Sequence, residues 1–177
     1  MFDNNDKKQE ISDWYYKYGD SIFKFILMMI RDYQLAEDLT HETFIKAYKY
    51  HHSFQNRSTP RTWLFSIAHN TTVDYIRRRK PVAIFKNLFQ LKQDLTIQPE
   101  EILELRESSR ELYKALSNLK DSYREVIILR KIKGFTISET SEILQWSESK
   151  VKSTLSRAIL ALEKQFRKEG YSNAKEI

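Results

Sequence analysis

The chain has 177 residues, with three Gly, three Pro, no Cys and a net charge of +6 from 30 Lys and Arg against 24 Asp and Glu. Gly and Pro make up about 12% of an average sequence. A chain this poor in both lacks the turns of sandwiches and barrels, and no GxGxxG or GxxxxGKS/T phosphate loop occurs. Missing cysteines exclude disulfides, thiolate zinc sites and Cys nucleophiles, which leaves an all-α chain whose 41% apolar residues suffice for a core.

The polar opening MFDNNDKKQE has no secretory pattern, and the longest apolar run, Phe25 to Ile30, is far short of the ~20 residues that span a bilayer. A cytoplasmic protein without direct membrane insertion is expected. Ile22, Phe23, Ile26, Leu27 and Ile30 recur at helical spacing, as do Leu35 and Leu39, then Phe44, Ile45 and Tyr48.

Within the second of these stripes, AEDLTHETFIKAY pairs Asp38 with Glu42 and Glu37 with His41 at i,i+4. Three readings stand: a solvated helix face, a protein-docking surface, or the carboxylates of a nucleic-acid hydrolase. Two carboxylates and one His make an incomplete metal set, and His51, His52 and His69 have no ligand spacing, so no metal or other cofactor is expected.

Residues 61–93 carry seven basic and one acidic residue, the first of two basic blocks. Here PRTWLFSIAHNTTVDYIRRRK combines Trp63, Phe65 and Tyr75 with Arg61 and the run Arg77 to Lys80. Aromatic faces beside phosphate-binding cations suit single-stranded or locally opened DNA. The alternative is a core helix with Trp63, Leu64, Ile67 and Ala68 inward and cations on its C-terminal dipole. Asn70 could cap a helix starting near Thr71.

Pro81 and Pro99 bracket a stretch in which a continuous helix is disfavoured. It reads as a flexible linker over 81–99, with Ile84, Phe85, Leu88, Phe89 and Leu91 docking in a groove. Two small helical domains follow, 1–80 and 100–177, separated in charge by an acidic stretch over 94–111. In the second, Ile102, Leu105, Leu112, Ala115, Leu116 and Leu119 form one stripe and Val126, Ile127, Leu129 and Ile132 another.

The second basic block follows a capping box, Thr136 with Glu139, which opens a short helix ending near Leu144. Ser147 offers a second N-cap, and Val151, Leu155, Ala158, Ile159 and Leu162 mark the buried stripe of a longer helix. Its polar face carries Ser149, Lys150, Lys152, Ser153, Ser156 and Arg157, hydroxyls and cations able to reach base edges and phosphates in a major groove. This is the pattern of a helix-turn-helix, against the alternative of an ordinary solvated helix.

Taken in order, AEDLTHETFIKAYKYHHSF, TWLFSIAHNTTVDYIRRRK, SYREVIILRKIKGFTISETSEIL and SKVKSTLSRAILALEK resemble the extracytoplasmic-function (ECF) sigma factors of the sigma-70 family, across most of residues 14 to 166. The resemblance implies a sigma region 2 bundle over 1–80 and a region 4 helix-turn-helix over 100–177, in a non-enzymatic factor that binds core RNA polymerase and directs promoter-specific initiation. It places Asp38, Leu39, His41, Glu42 and Ile45 against the clamp helices of the largest polymerase subunit, and region 4 on the flap.

It also places Asn70, with His69 and Thr71, at a loop position that holds a flipped base of the minus-ten element. Arg61, Asp74, Tyr75, Arg77, Arg78, Arg79 and Lys80 then face DNA. Thr136, Ser149, Lys150, Lys152, Ser153, Ser156 and Arg157 fall on the minus-thirty-five element. An anti-sigma factor is an implied partner beside promoter DNA. His41 stands where the family usually has Gln, Thr140 and Ser141 replace an apolar residue and Ala, Gln145 and Trp146 replace a Gly-led turn, and Ser149 replaces a Gly. Apart from the resemblance, a stand-alone helix-turn-helix regulator is the competing function.

Overall fold

The computed structural model describes residues 4–55, 57–87 and 107–168, with side chains over 5–55, 57–78 and 111–168. The described residues form helices without strands, in two units. The apolar linker residues Leu88, Phe89 and Leu91 and the stripe residues Ile102 and Leu105 lie outside this description, as do the side chains of Arg79, Lys80, Ile84 and Phe85.

The first unit is made of α1 (Asn4–Ile30), α2 (Tyr33–Lys49) and α3 (Pro60–Asn87). Helix α1 stops where Arg31 takes a left-handed φ of 58°, and Asp32 caps α2 by accepting the Leu35 N–H at 3.0 Å. On α2 the buried residues are Ala36, Leu39, Thr40, Thr43, Phe44 and Ala47, a three-four stripe facing the fully buried Ile22, Phe25 and Ile26 of α1 and Leu64, Phe65 and Ala68 of α3. Threonines enter this apolar seam because their hydroxyls donate to carbonyls one turn back: Thr40 to Ala36 at 2.7 Å, Thr43 to Leu39 at 2.7 Å and Thr72 to Ala68 at 2.8 Å.

Thr59 caps α3, accepting the Thr62 N–H at 3.1 Å, and Pro60 takes the first helical position, where its missing N–H costs nothing. Beside this start, Trp14, Phe54 and Trp63 pack edge-on or tilted with centroids 5.1 to 5.9 Å apart. Trp63 is therefore half-buried in an aromatic cluster rather than in the central core.

Helix α3 corrects two expectations. It runs through Pro81 to Asn87, although helix was disfavoured from Pro81 onward. Proline's φ is already helical, so the penalty is one lost backbone bond and a local clash, borne by a helix 28 residues long. And Asn70 lies in the middle of this helix, so it neither caps a helix nor sits in a loop.

The second unit contains α4 (Glu107–Ser117), α5 (Asp121–Ile127) extended by a π turn over Ile128–Ile132, α6 (Ile137–Leu144) and α7 (Glu148–Lys168). Its core holds Leu116, Val126, Ile127, Ile128, Leu129, Phe135, Ile143, Val151 and Ala158, all nearly or fully buried. The π turn closes with the Lys133 N–H on the Ile128 carbonyl at 2.8 Å and ends at Gly134, whose φ of 71° suits glycine. The wider turn carries Ile132 out of the stripe that it was expected to share with Val126 and Leu129, and leaves it exposed. On α7, Thr154 joins Val151, Ala158 and Leu162 in the buried row, while Leu155 and Ile159 are half-buried at its edges.

Candidate nucleic-acid and polymerase interfaces

On α2, Asp38, His41, Glu42 and Ile45 stand at i, i+3, i+4 and i+7, all exposed, with Ile45 at 67%. Leu39 does not belong with them: it is 3% exposed and points into the three-helix core, because its position falls on the buried stripe. Glu42 is engaged by Lys46 at 2.7 Å, and Lys46 also donates to Thr71 of α3 at 3.1 Å. His41 faces Tyr15 of α1, with Tyr15 Oη 3.5 Å from His41 Nε2 and the rings stacked at 6.4 Å. The result is an acidic, partly aromatic outer face with an exposed large aliphatic group, whose charge does not favour a polyanion.

On α3 the expected DNA residues divide. Asn70, Arg77 and Arg78 are exposed, and Arg61, Asp74 and Tyr75 half-buried. His69 and Thr71 turn inward, at 7% and 3% exposure, and do not share the exposed face with Asn70; residues 69 and 71 flank Asn70 by 100° each way, which on a packed helix points them at the neighbours. Asp74 pairs with Arg77 at 3.1 Å and so restrains this cation, while Arg61 stacks over Phe65 at 5.7 Å. The backbone of α3 carries Arg79 and Lys80 onward in the same helix.

A neighbouring feature was not singled out from sequence. The connection before α3 opens with a 3-10 turn over His51–Ser53 and is irregular at residues 54–55 and 57–59; it is tied down where His51 meets Glu10 of α1 at 2.8 Å and packs on Trp14 at 5.7 Å. Its local signal was the Ser-Thr-Pro helix start, Ser58 to Pro60.

In the second unit the helix pair forms as the sequence predicts. Thr136 accepts the Glu139 N–H at 3.2 Å while the Glu139 carboxylate accepts the Thr136 N–H at 2.7 Å. The turn closes without Gly: Gln145 adopts a left-handed φ of 55°, its N–H donates to the Glu142 carbonyl and the Trp146 backbone N–H to the Ser141 carbonyl. That is a Schellman closure with Gln at the left-handed position, at a cost of about 1 kcal/mol. Thr140, fully buried, satisfies its hydroxyl on the Thr136 carbonyl at 2.7 Å.

Ser147 caps α7 by accepting the Lys150 N–H at 3.2 Å. Beyond it Ser149, Lys150, Lys152, Ser153, Ser156 and Arg157 are all exposed, in one continuous polar face opposite Val151, Thr154 and Ala158. Lys152 lies 3.9 Å from Glu148, a weak surface pair, so the cations of this face remain available to phosphates. Leu160, 67% exposed, is an apolar residue one turn beyond this face.

The Sigma-70 region 2 family matches residues 14–82 and the Sigma-70 region 4 family residues 109–162. The chain is 36% identical over 155 residues to the ECF RNA polymerase sigma factor SigX of Bacillus subtilis, covering 85% of this chain and 80% of that protein. It is 37% identical over 150 residues to the ECF sigma factor SigM of the same organism, covering 84% and 90%. Among solved structures, the sigma factor RpoE of Bartonella quintana, in complex with the anti-sigma factor NepR, is similar with a TM-score of 0.75 at 25% identity, over 90% of this chain and 98% of that one. With two matched regions in the right order, each coinciding with a helical unit built around its own core, the chain belongs to the ECF sigma factors, alternative sigma factors of the sigma-70 family that direct RNA polymerase to promoters.

Proposed function

We propose a division of labour among the faces just described. The outer face of α2, Asp38, His41, Glu42 and Ile45, docks on the clamp helices of the largest subunit of core RNA polymerase, and Leu39 supports that face from beneath. The exposed side of α3 that carries Asn70, Arg77 and Arg78 lies along the minus-ten element as it opens, and Arg79 and Lys80 follow in the chain. Because Asn70 is mid-helix, the segment suited to receive a base turned out of the stack is the connection after the 3-10 turn His51–Ser53, where residues 54–55 and 57–59 are not helical. The outer face of α7 reads the minus-thirty-five element in the major groove, and the second unit meets the polymerase flap.

The observation that carries this reading is the pair of cationic helix faces on two separately cored units of one chain. Neither unit needs catalytic chemistry, since capturing an opened base offsets a few kcal/mol of unstacking only for the right sequence. An anti-sigma factor is the expected negative regulator, by analogy with the Bartonella quintana complex. The test is run-off transcription: the chain added to core RNA polymerase yields discrete promoter-dependent transcripts, and a chain that neither binds core polymerase nor changes its transcripts overturns the proposal.

A further inference from the structure

Lys150 is held across the turn that precedes its helix. Its ammonium sits 4.0 Å from the centroid of the Trp146 ring, while its backbone N–H is taken by the Ser147 cap. The Trp146 backbone is itself held. Its backbone N–H donates to the Ser141 carbonyl at 3.0 Å, the Ser141 hydroxyl donates to the Trp146 carbonyl at 2.5 Å, and Gln145 before it is in the left-handed region. The indole is half-exposed, so one face serves a cation at the head of α7.

Two physical consequences follow from that geometry. A freely rotating lysine loses rotamer freedom when a phosphate captures it, and a ring that already restrains the ammonium removes part of the loss before DNA arrives. A cation in the first helical turn is also disfavoured by the helix dipole, and the negative face of the indole counters this in place. Among the described residues, Ser153, Ser156 and Lys152 of the same face are tied within α7, Ser153 to the Lys150 carbonyl, Ser156 to the Lys152 carbonyl and Lys152 toward Glu148. Lys150 is thus the member of the face whose position is set by a residue of the turn.

We infer that Trp146 is a positioning residue for upstream promoter recognition: it pre-orients Lys150 toward the phosphate backbone of the duplex. This rests on the reading of α7 as the minus-thirty-five reader. Holoenzyme assembled from the full chain and core RNA polymerase first selects its upstream element from a duplex library randomised there. If no upstream sequence is enriched, the reading of α7 fails and the inference falls with it.

With a selected duplex in hand, dissociation constants are measured across a salt series for W146L, W146Y, K150Q and W146L/K150Q holoenzymes. W146L should weaken binding about two- to five-fold and W146Y restore most of it. The double variant should bind no more weakly than K150Q alone, because Trp146 acts through Lys150. K150Q should reduce the salt slope by about one, and W146L leave it unchanged. A W146L holoenzyme that matches wild type, or one that loses as much affinity again in the K150Q background, overturns the inference while leaving the reading of α7 intact.

Discussion

Arg124 is a buried cation held largely by backbone carbonyls. Its guanidinium donates to the carbonyls of Leu116 at 3.0 Å, Ser117 at 3.1 Å and Leu119 at 3.0 Å, closing the C-terminal end of α4, with Asp121 at 3.4 Å. Replacing it leaves buried acceptors unpaired, so Arg124→Met should destabilise the second unit by about 2–4 kcal/mol, read as a lower urea midpoint. In the same unit, burial pushes the Tyr113 phenol above its ordinary value of 10.0. The unfolded chain therefore ionises first as pH rises. The stability from this group is present below about pH 10 and lost as pH climbs through the higher folded value. Tyr113→Phe should lessen the drop in thermal midpoint above that pH, and an unchanged alkaline profile would contradict the burial effect.

At the scale of elements, α2 and α3 show why adjacent residues have opposite roles. Leu39 is in the core and Glu42 on the surface, one turn apart. Leu39→Ala should lower stability by about 2–5 kcal/mol, whereas Glu42→Lys should leave the thermal midpoint nearly unchanged and weaken core polymerase binding in a pull-down. On α3, Asn70→Ala should reduce promoter opening, monitored by permanganate reactivity of unpaired thymines, more than it reduces polymerase binding. Equal loss of both would remove Asn70 from the DNA face. On α7, Arg157→Ala should weaken recognition of the upstream element by about 1–3 kcal/mol without changing helix content.

For the whole molecule the decisive quantity is effective concentration. Domains of this size bury only about 60% of their unfolded surface and present small footprints, so on the proposed reading each cationic face alone should bind duplex weakly and through salt-sensitive phosphate contacts. When polymerase holds both units along one promoter, the second contact becomes intramolecular and apparent affinity rises by about 10²–10⁴-fold. A bandshift of the purified chain should therefore show weak binding abolished by moderate salt, and a tight, sequence-dependent complex once core polymerase is added. Tight operator binding without polymerase would favour a stand-alone regulator instead.

The amino-acid sequence by itself determined the helical class, the division into two basic units and the helix pair with its Thr136–Glu139 box, because these rest on periodicity, capping and charge within a few residues of one another. Residue types in register also sufficed for the exposed row of α7 and, on α2, for Asp38, His41, Glu42 and Ile45 but not Leu39. Only the tertiary structure decided which way His69, Thr71 and Leu39 point, since that depends on which neighbour each helix packs against rather than on local composition. It likewise decided the passage of α3 through Pro81, the π turn that releases Ile132, and the hold of Trp146 on Lys150. In each case cooperative packing or a neighbouring ring outweighed the preference that the single residue carries.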